Sequence, residues 1–291
     1  VRSSLSAPPV LDRAASVLAR YDALFCDVWG VVHDGLRAYE PAGEALARFR
    51  GLGGTVVLIT NAPVPRGRVA AMLDRVALRR DAWDAIVSSG DIALGHIAER
   101  GYRRLACIGP RDRDWALFRE LSAGEAAVEA ADAILCSGLE GENETAESHR
   151  PILEKARARG LPFVCANPDL VVDVGGARYL CAGAVADLYE RMGGDVFWAG
   201  KPHASAYGAA RAAAEGLRGS PLDPARILAI GDSLRTDIAG AAAAGLDALF
   251  IAGGIHRGDL MDRDAISPER LARLFSPPAP RAVAAMAELA W

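Results

Sequence analysis

The chain predicts an α/β fold: a doubly wound, mostly parallel sheet covered by helices on both faces. Three observations carry that prediction. Short strand-like runs such as Thr55–Thr60 (TVVLIT) and Ala23–Val28 (ALFCDV) are predominantly apolar without alternation, as in strands buried on both faces. Ala-, Arg- and Leu-rich stretches of helical character separate them. Polar side chains with chemical potential recur just past the strand ends, where open parallel sheets bind ligands.

Taken in order, Ala23–Val28 is a strand and Pro41–Arg50 a helix with proline in its first turn. Thr55–Thr60 is a strand and Arg66–Val76 a helix. Strands follow at Ala85–Ser88, Leu105–Ile108, Ala133–Cys136 and Pro162–Ala166, with helices at Arg150–Arg159 and Gly183–Arg191. The last part reads as strand Asp195–Ala199, helix Ser205–Glu215, strand Arg226–Ile230, helix Ile238–Ala244 closed by Gly245, and strand Ala248–Ala252. A Pro-rich turn at Ser276–Pro280 then precedes a final helical stretch.

Composition narrows the function. The 291 residues are 51% apolar and 24% charged, which fits a packed globular chain rather than a disordered one. A net charge of −4 with scattered arginines offers no basic field for a nucleic-acid partner. No apolar run reaches membrane-span length; the longest, Ala239–Ile255, is interrupted by Asp247. Asp12, Arg13 and Arg20 break any signal-peptide core, so a cytoplasmic location is expected. The five cysteines, Cys26, Cys107, Cys136, Cys165 and Cys181, are widely spaced and odd in number, which points to reduced, buried thiols. The chain carries 31 arginines but only two lysines, Lys155 and Lys201, and three asparagines, Asn61, Asn143 and Asn167. Such rare types are informative where they occur.

Four strand ends are rich in chemistry. ALFCDV runs into Asp27-Val28-Trp29-Gly30, and TVVLIT delivers Thr60-Asn61. The strand at Asp195–Ala199 precedes Gly200-Lys201-Pro202, and Arg226–Ile230 precedes Gly231-Asp232-Ser233 with Thr236-Asp237 beyond. If these strands are neighbours, the side chains meet at one rim. A carboxylate can attack phosphorus to form an aspartyl-phosphate. Asp27 and Asp232 can hold Mg²⁺, which takes oxygen ligands. Lys201 and the Thr60 hydroxyl can neutralise and orient phosphoryl oxygens. Asp237 can support Lys201 or a metal-bound water. Individually each has a plainer role: Asp27 as a strand-end cap, Asp237 as a helix N-cap, Thr60-Asn61 as turn residues.

In this order the motifs resemble those of the haloacid dehalogenase superfamily, class IIA branch, whose members act on sugar phosphates, nucleotides and nitrophenyl phosphate. DVWGVVHDG (Asp27–Gly35), LITNAP (Leu58–Pro63), GKP (Gly200–Pro202) and GDSLRTDI (Gly231–Ile238) match its four motifs, and ANPDLV (Ala166–Val171) with CAGAVADLYERMGG (Cys181–Gly194) resembles its cap. The resemblance implies a Rossmann-like core at residues 1–82 and 198–291, with an inserted α/β cap at 83–197. It implies a phosphatase for a small phosphorylated metabolite, with Asp27 as nucleophile and metal ligand. Asp232 and the backbone carbonyl of Trp29 complete the Mg²⁺ site. Thr60 and Lys201 bind phosphate, and Asp237 is an acidic support. Asn61 and Asn167 are the expected further substrate contacts, and Ser88, Ser89, Asn143 and Asp169 are cap candidates. The cap also resembles dimer-forming surfaces, so a homodimer is implied.

One position departs from the family pattern. A second Asp normally stands two residues after the nucleophile, as general acid and then base, and here that position is Trp29. Three readings follow: a phosphatase for acidic leaving groups or one borrowing an acid, for which His33 and Asp34 are the local candidates; a catalytically weak or inactive protein that binds metal or phosphate; and a dehalogenase, whose halide leaves without a proton.

Overall fold

The computed structural model describes residues 7–141, 143–174 and 177–291. Along the chain the strands are β1 (Ala23–Asp27), β2 (Thr55–Thr60), β3 (Ala85–Ser88), β4 (Arg104–Ile108), β5 (Gly124–Glu125), β6 (Ala133–Cys136), β7 (Phe163–Cys165), β8 (Val171–Val174), β9 (Ala177–Leu180), β10 (Val196–Trp198), β11 (Ile227–Gly231), β12 (Asp247–Ile251), β13 (Met261–Asp262), β14 (Ala265–Ile266) and β15 (Ala284–Met286). They divide between two compact units. The first takes in the chain up to Thr60, Ala70–Val87 and Tyr207–Trp291; the second comprises Asn61–Val69 and Ser88–Ala206.

The first unit holds a six-stranded sheet in the order β15-β12-β11-β1-β2-β3, parallel from β15 through β2. Every residue of β1, β2 and β11 is buried. A strand with helices on both faces has no solvent side, hence the continuous apolar runs. From β1 the chain winds outward through β2 and β3, and from β11 it winds the other way through β12 and β15. The direction reverses between β1 and β11. At such a switch point the connections leave in opposite directions and open a crevice at the carboxyl ends of the strands.

The second unit has a five-stranded parallel sheet in the order β10-β7-β6-β4-β5. Its side chains alternate between two cores, as a period of two requires. Ile134, Cys136, Phe163 and Cys165 face one side, against Leu153 and Ala156 of helix Arg150–Ala158 and Val185 and Tyr189 of helix Ala182–Arg191. Ala133, Leu135 and Val164 face the other, against Ala93 and Ile97 of helix Ser89–Arg100. The short antiparallel pair β8–β9 follows β7.

Several expectations need correction. The strand before Lys201, β10, does not share a sheet with β1, β2 and β11; it pairs with β7 in the second unit, Val196 opposite Phe163. Sheet pairing therefore joins three of the four strand ends, those of β1, β2 and β11, in one rim. Ala85–Ser88, expected in the insertion, is the edge strand β3 of the first sheet. The stretch after Pro280, expected to be helical, contains β15. There backbone pairing overrides the helix propensity of alanine: Ala252 N–H donates to Met286 O (2.8 Å), and Val283 N–H to Ala248 O (2.8 Å). Ala284, Ala285 and Met286 are buried against the sheet.

All five cysteines are free thiols, and burial pushes Cys136 up to about 12, so it acts as an apolar core residue. Among the described residues no helix is long and apolar enough to cross a membrane. Leu24, fully buried in β1, sits at the centre of the first sheet. Leu24→Ala should lower unfolding stability by about 2–5 kcal/mol, read from denaturant titration, because it removes contacts and leaves a cavity.

Candidate active site

β1 and β11 are adjacent and in register, with Cys26 opposite Ile230. Asp27 closes β1, and Asp232 directly follows β11, so the two carboxylates leave neighbouring strands at the switch point. Asp237 joins them from the next turn. Each of the three offers a carboxylate oxygen within 4.8 Å of the others, and all three residues are buried. Thr60 is buried at the end of β2, next to β1. Four of the expected residues thus arise from three adjacent strands and the turn after them.

The backbone around Asp232 is shaped for its carboxylate. Asp232 Oδ2 accepts from Ile255 N–H at 2.7 Å. A Cβ at Gly30 would lie 2.0 Å from Asp232 Oδ2, and one at Gly254 1.9 Å from it. Gly30 also has φ +79°, so glycine there meets both a turn and a close approach. Asp237 does not cap the helix, as its position had implied. Ser233 does, its Oγ accepting from Thr236 N–H (3.2 Å), while Asp237 Oδ2 accepts from Ser233 N–H (3.0 Å). Leu234–Ile238 forms a π-turn, with Ile238 N–H bonded to Ser233 O (3.1 Å), before helix Ala239–Ala243. Such turns often mark functional sites. Tyr207 supports it, its hydroxyl donating to Asp237 O (3.0 Å). Ser233 stands inside the GDSLRTDI motif without an expected role, whereas nothing in the local sequence around Tyr207 and Gly254 marks them.

Three mutually close buried carboxylates repel one another unless a cation or a proton neutralises them. Carboxylate oxygens are the donors that hard divalent cations take, so the set fits such an ion.

Lys201, Asn61 and Asn167 lie in the second unit and make their own network. Asn61 Oδ1 accepts from Lys201 N–H (2.8 Å) and from the Ser89 hydroxyl (3.4 Å). Its Nδ2 donates to Lys201 O (3.0 Å) and to Asp169 Oδ1 (3.0 Å). The amide's two donors and two acceptor sites are all used, so Asn61 clamps the Lys201 backbone. A Cβ at Gly200 would lie 2.1 Å from Ser89 Oγ, which explains the glycine before that lysine. Asn167 builds a turn, its Oδ1 accepting from Asp169 N–H at 3.1 Å.

In the loop after β1, Trp29 is 40% exposed, and its ring stands edge-on to His33 (centroids 5.1 Å, 77°). His33 is fully buried, and burial lowers it to about 4, so it is neutral. Its Nδ1 accepts from Gly35 N–H (2.8 Å), which puts the proton on Nε2. Asp34 Oδ1 accepts from Arg37 and Leu36 N–H, both at 2.9 Å, and these bonds hold it below the usual carboxylate range. The ordering of this loop by Asp34 is turn chemistry.

Fold and site together define a doubly wound α/β enzyme core with a carboxylate cluster at its switch point. The chain belongs to the haloacid dehalogenase-like hydrolases. The family model of that description matches residues 24–122, and a HAD-hydrolase-like model matches 198–276. A haloacid dehalogenase-like hydrolase from Brucella suis 1330 is 40% identical, over 96% of this chain and 99% of that one, with a TM-score of 0.81. Two further solved structures share the fold. One is a glycerol phosphate phosphatase from Mycobacterium tuberculosis in complex with calcium (24% identity, 82% and 68% of the two chains, TM-score 0.62). The other is a 4-nitrophenylphosphatase from Thermotoga maritima (20%, 94% and 96%, 0.69). No curated protein matches the sequence significantly.

Two outcomes follow from the geometry. Gly254→Ala should displace the Asp232 carboxylate and weaken divalent-ion binding; the stabilisation expected from a divalent cation at a hundred times its Kd, about 3 kcal/mol and detected as a rise in Tm, should shrink or vanish. For His33, the folded group refuses a proton that the unfolded chain takes up below its ordinary 6.5. Stability should therefore fall as pH drops from 6.5 towards 4, by on the order of 3 kcal/mol in full. Denaturant unfolding at pH 7 and 4.5 should show a smaller acid loss in His33→Gln than in the wild type.

Proposed function

We propose that the protein is a magnesium-dependent phosphatase that hydrolyses a small phosphorylated metabolite through an aspartyl-phosphate on Asp27. The observation that carries this reading is the cluster of Asp27, Asp232 and Asp237 at the switch point between β1 and β11. The names of two solved relatives support it, both being phosphatases and one of them in complex with calcium. The same cluster argues against the dehalogenase reading, since displacing a halide needs one nucleophilic carboxylate and no metal-holding pair.

In this reading Asp27 is the nucleophile. Asp27, Asp232 and the Trp29 carbonyl would hold the Mg²⁺, which when bound would supply positive charge to the phosphoryl oxygens. Thr60 and Lys201 are assigned to the phosphate, with Lys201 kept in place by Asn61. A lysine suits this role as a compact charge on a clamped backbone, where a forked guanidinium would need more room. Asp237 fixes the turn that carries Asp232.

We assign the five-stranded sheet of the second unit and the helices that cover it the role of cap, and the six-stranded sheet, β3 included, the role of core. The second unit contains a cavity of about 450 Å³ whose lining includes Arg113, Leu139, Asn143, Thr145 and Tyr179. Its mixture of polar and apolar groups suits the non-phosphate part of a small metabolite. Five free thiols agree with a reducing, cytoplasmic compartment.

The test is hydrolysis of 4-nitrophenyl phosphate with Mg²⁺ and after its removal by chelation. Asp27→Asn should lose activity by roughly 10⁴-fold or more, and chelation should abolish turnover while readdition of Mg²⁺ restores it. Equal rates with Asp27→Asn, or with the metal stripped, would overturn this assignment.

A further inference from the structure

The loop after β1 is built to hold an indole, not an acid, beside the proposed nucleophile. Gly30 N–H donates to His33 O (2.9 Å), and Val32 N–H to Val28 O (3.0 Å), so the backbone is tightly closed. Trp29 is wedged between the His33 ring and Gly35, where a Cβ would lie 2.5 Å from its Cη2. The indole is fixed in position yet 40% exposed. Core packing does not account for a large planar ring that is propped in place and left substantially exposed.

Proton donors are scarce on this loop. An indole N–H does not serve as an acid. The His33 imidazole is wholly buried, with Nδ1 occupied by Gly35 N–H and Nε2 without a hydrogen-bond partner among the described residues. Asp34 accepts two backbone N–H bonds on one oxygen and stands 3.7 Å from the Arg37 guanidinium, an arrangement of the ionised form. Tyr39 is the remaining protic side chain, half-buried with Asp34, Asp232, Glu288 and Arg257 around it.

We propose that the enzyme is selective for phosphoryl donors with acidic leaving groups, aryl and acyl phosphates rather than alkyl phosphates, and that Trp29 determines this specificity. The proposal rests on the assignment of Asp27 as nucleophile. In the first step an Asp27 carboxylate oxygen forms a bond to phosphorus while the phosphorus–oxygen bond to the leaving group breaks. The bonding pair stays on the departing oxygen, which leaves as aryloxide or carboxylate and needs no proton. Water then attacks phosphorus, the bond to Asp27 breaks, and the carboxylate is regenerated. Both protons of the water leave with the phosphate as dihydrogen phosphate. An alkoxide is too basic to leave this way, so alkyl phosphates react slowly. With 40% of its surface exposed, the indole offers an apolar aromatic group to a planar leaving group.

The decisive experiment measures kcat/KM with Mg²⁺ for substituted phenyl phosphates spanning a range of phenol pKa, together with acetyl phosphate and glycerol phosphate. The wild type should show a steep decline as the leaving group becomes more basic. Trp29→Asp should flatten that dependence and raise kcat/KM for the alkyl phosphate by roughly 10²–10⁴-fold. Trp29→Ala adds no acid, so the slope should stay steep while KM for aryl substrates rises roughly 2- to 10-fold; this variant serves should Trp29→Asp disturb the loop. A shallow dependence in the wild type overturns the proposal but leaves the phosphatase assignment standing, and a steep slope appearing only in Tyr39→Phe would then name the proton donor. No hydrolysis of any phosphate by the wild type overturns both.

Discussion

The adjacency of Asp27 and Asp232 at the ends of two parallel strands is the constraint on which the rest of the site depends. Buried carboxylates repel, and folding brings three of them within 4.8 Å. The protein tolerates this by surrounding them with groups that stabilise negative charge. Ile255 N–H is bonded to Asp232, Ser233 N–H to Asp237, and glycines 30 and 254 give the Asp232 carboxylate its space. Such an arrangement is unfavourable for a bare fold and favourable for one that takes a divalent cation, so stability and ligand binding are linked at this point.

The framework makes that strain affordable. β1, β2 and β11 are wholly buried and pinned by parallel pairing on both sides, so the strand ends cannot spread to relieve the repulsion. Adjustable geometry is confined to the π-turn after β11 and the closed loop after β1. In the π-turn, Ser233 and Asp237 each bond the other's segment, and Tyr207 bonds its carbonyls from outside. Each acid thus sits on a short turn anchored to a rigid strand, which keeps reacting groups within close tolerance.

Much of this was legible in the sequence, for reasons that also explain what was not. β2 was read at both ends because Gly and Asn bracket a six-residue β-branched run. Asp27, Thr60 and Asp232 were found because strand ends are recognisable locally. Sheet membership is not a local property: Val196–Trp198 has the same apolar character as the core strands, yet pairs with β7. Ala284–Met286 reads as helix because alanine favours helices, and only its place beside β12 decides otherwise. Gly254 and Tyr207 act across the fold from residues distant in sequence, so no spacing rule reveals them. Asn61 was visible as a rare residue at a strand end, but its full set of bonds to Lys201, Ser89 and Asp169 is a tertiary fact.

Trp29 shows how one position can carry two separable contributions. A residue two places beyond Asp27 offers a backbone carbonyl, set by the loop's path, and a side chain, free to vary with the chemistry required. The path here is fixed by glycines and by hydrogen bonds among Val28, Gly30, Val32 and His33, none of which involves the side chain at position 29. Replacing a carboxylate with an indole at that position therefore leaves the fold of the loop and the cluster of Asp27, Asp232 and Asp237 in place, while it removes a proton donor and adds an apolar surface. His33 and Gly35 are matched to the indole rather than to a carboxylate: the one lends its ring and the other its missing Cβ. The loop is thus consistent with tryptophan throughout, as the proposed selectivity for acidic leaving groups requires.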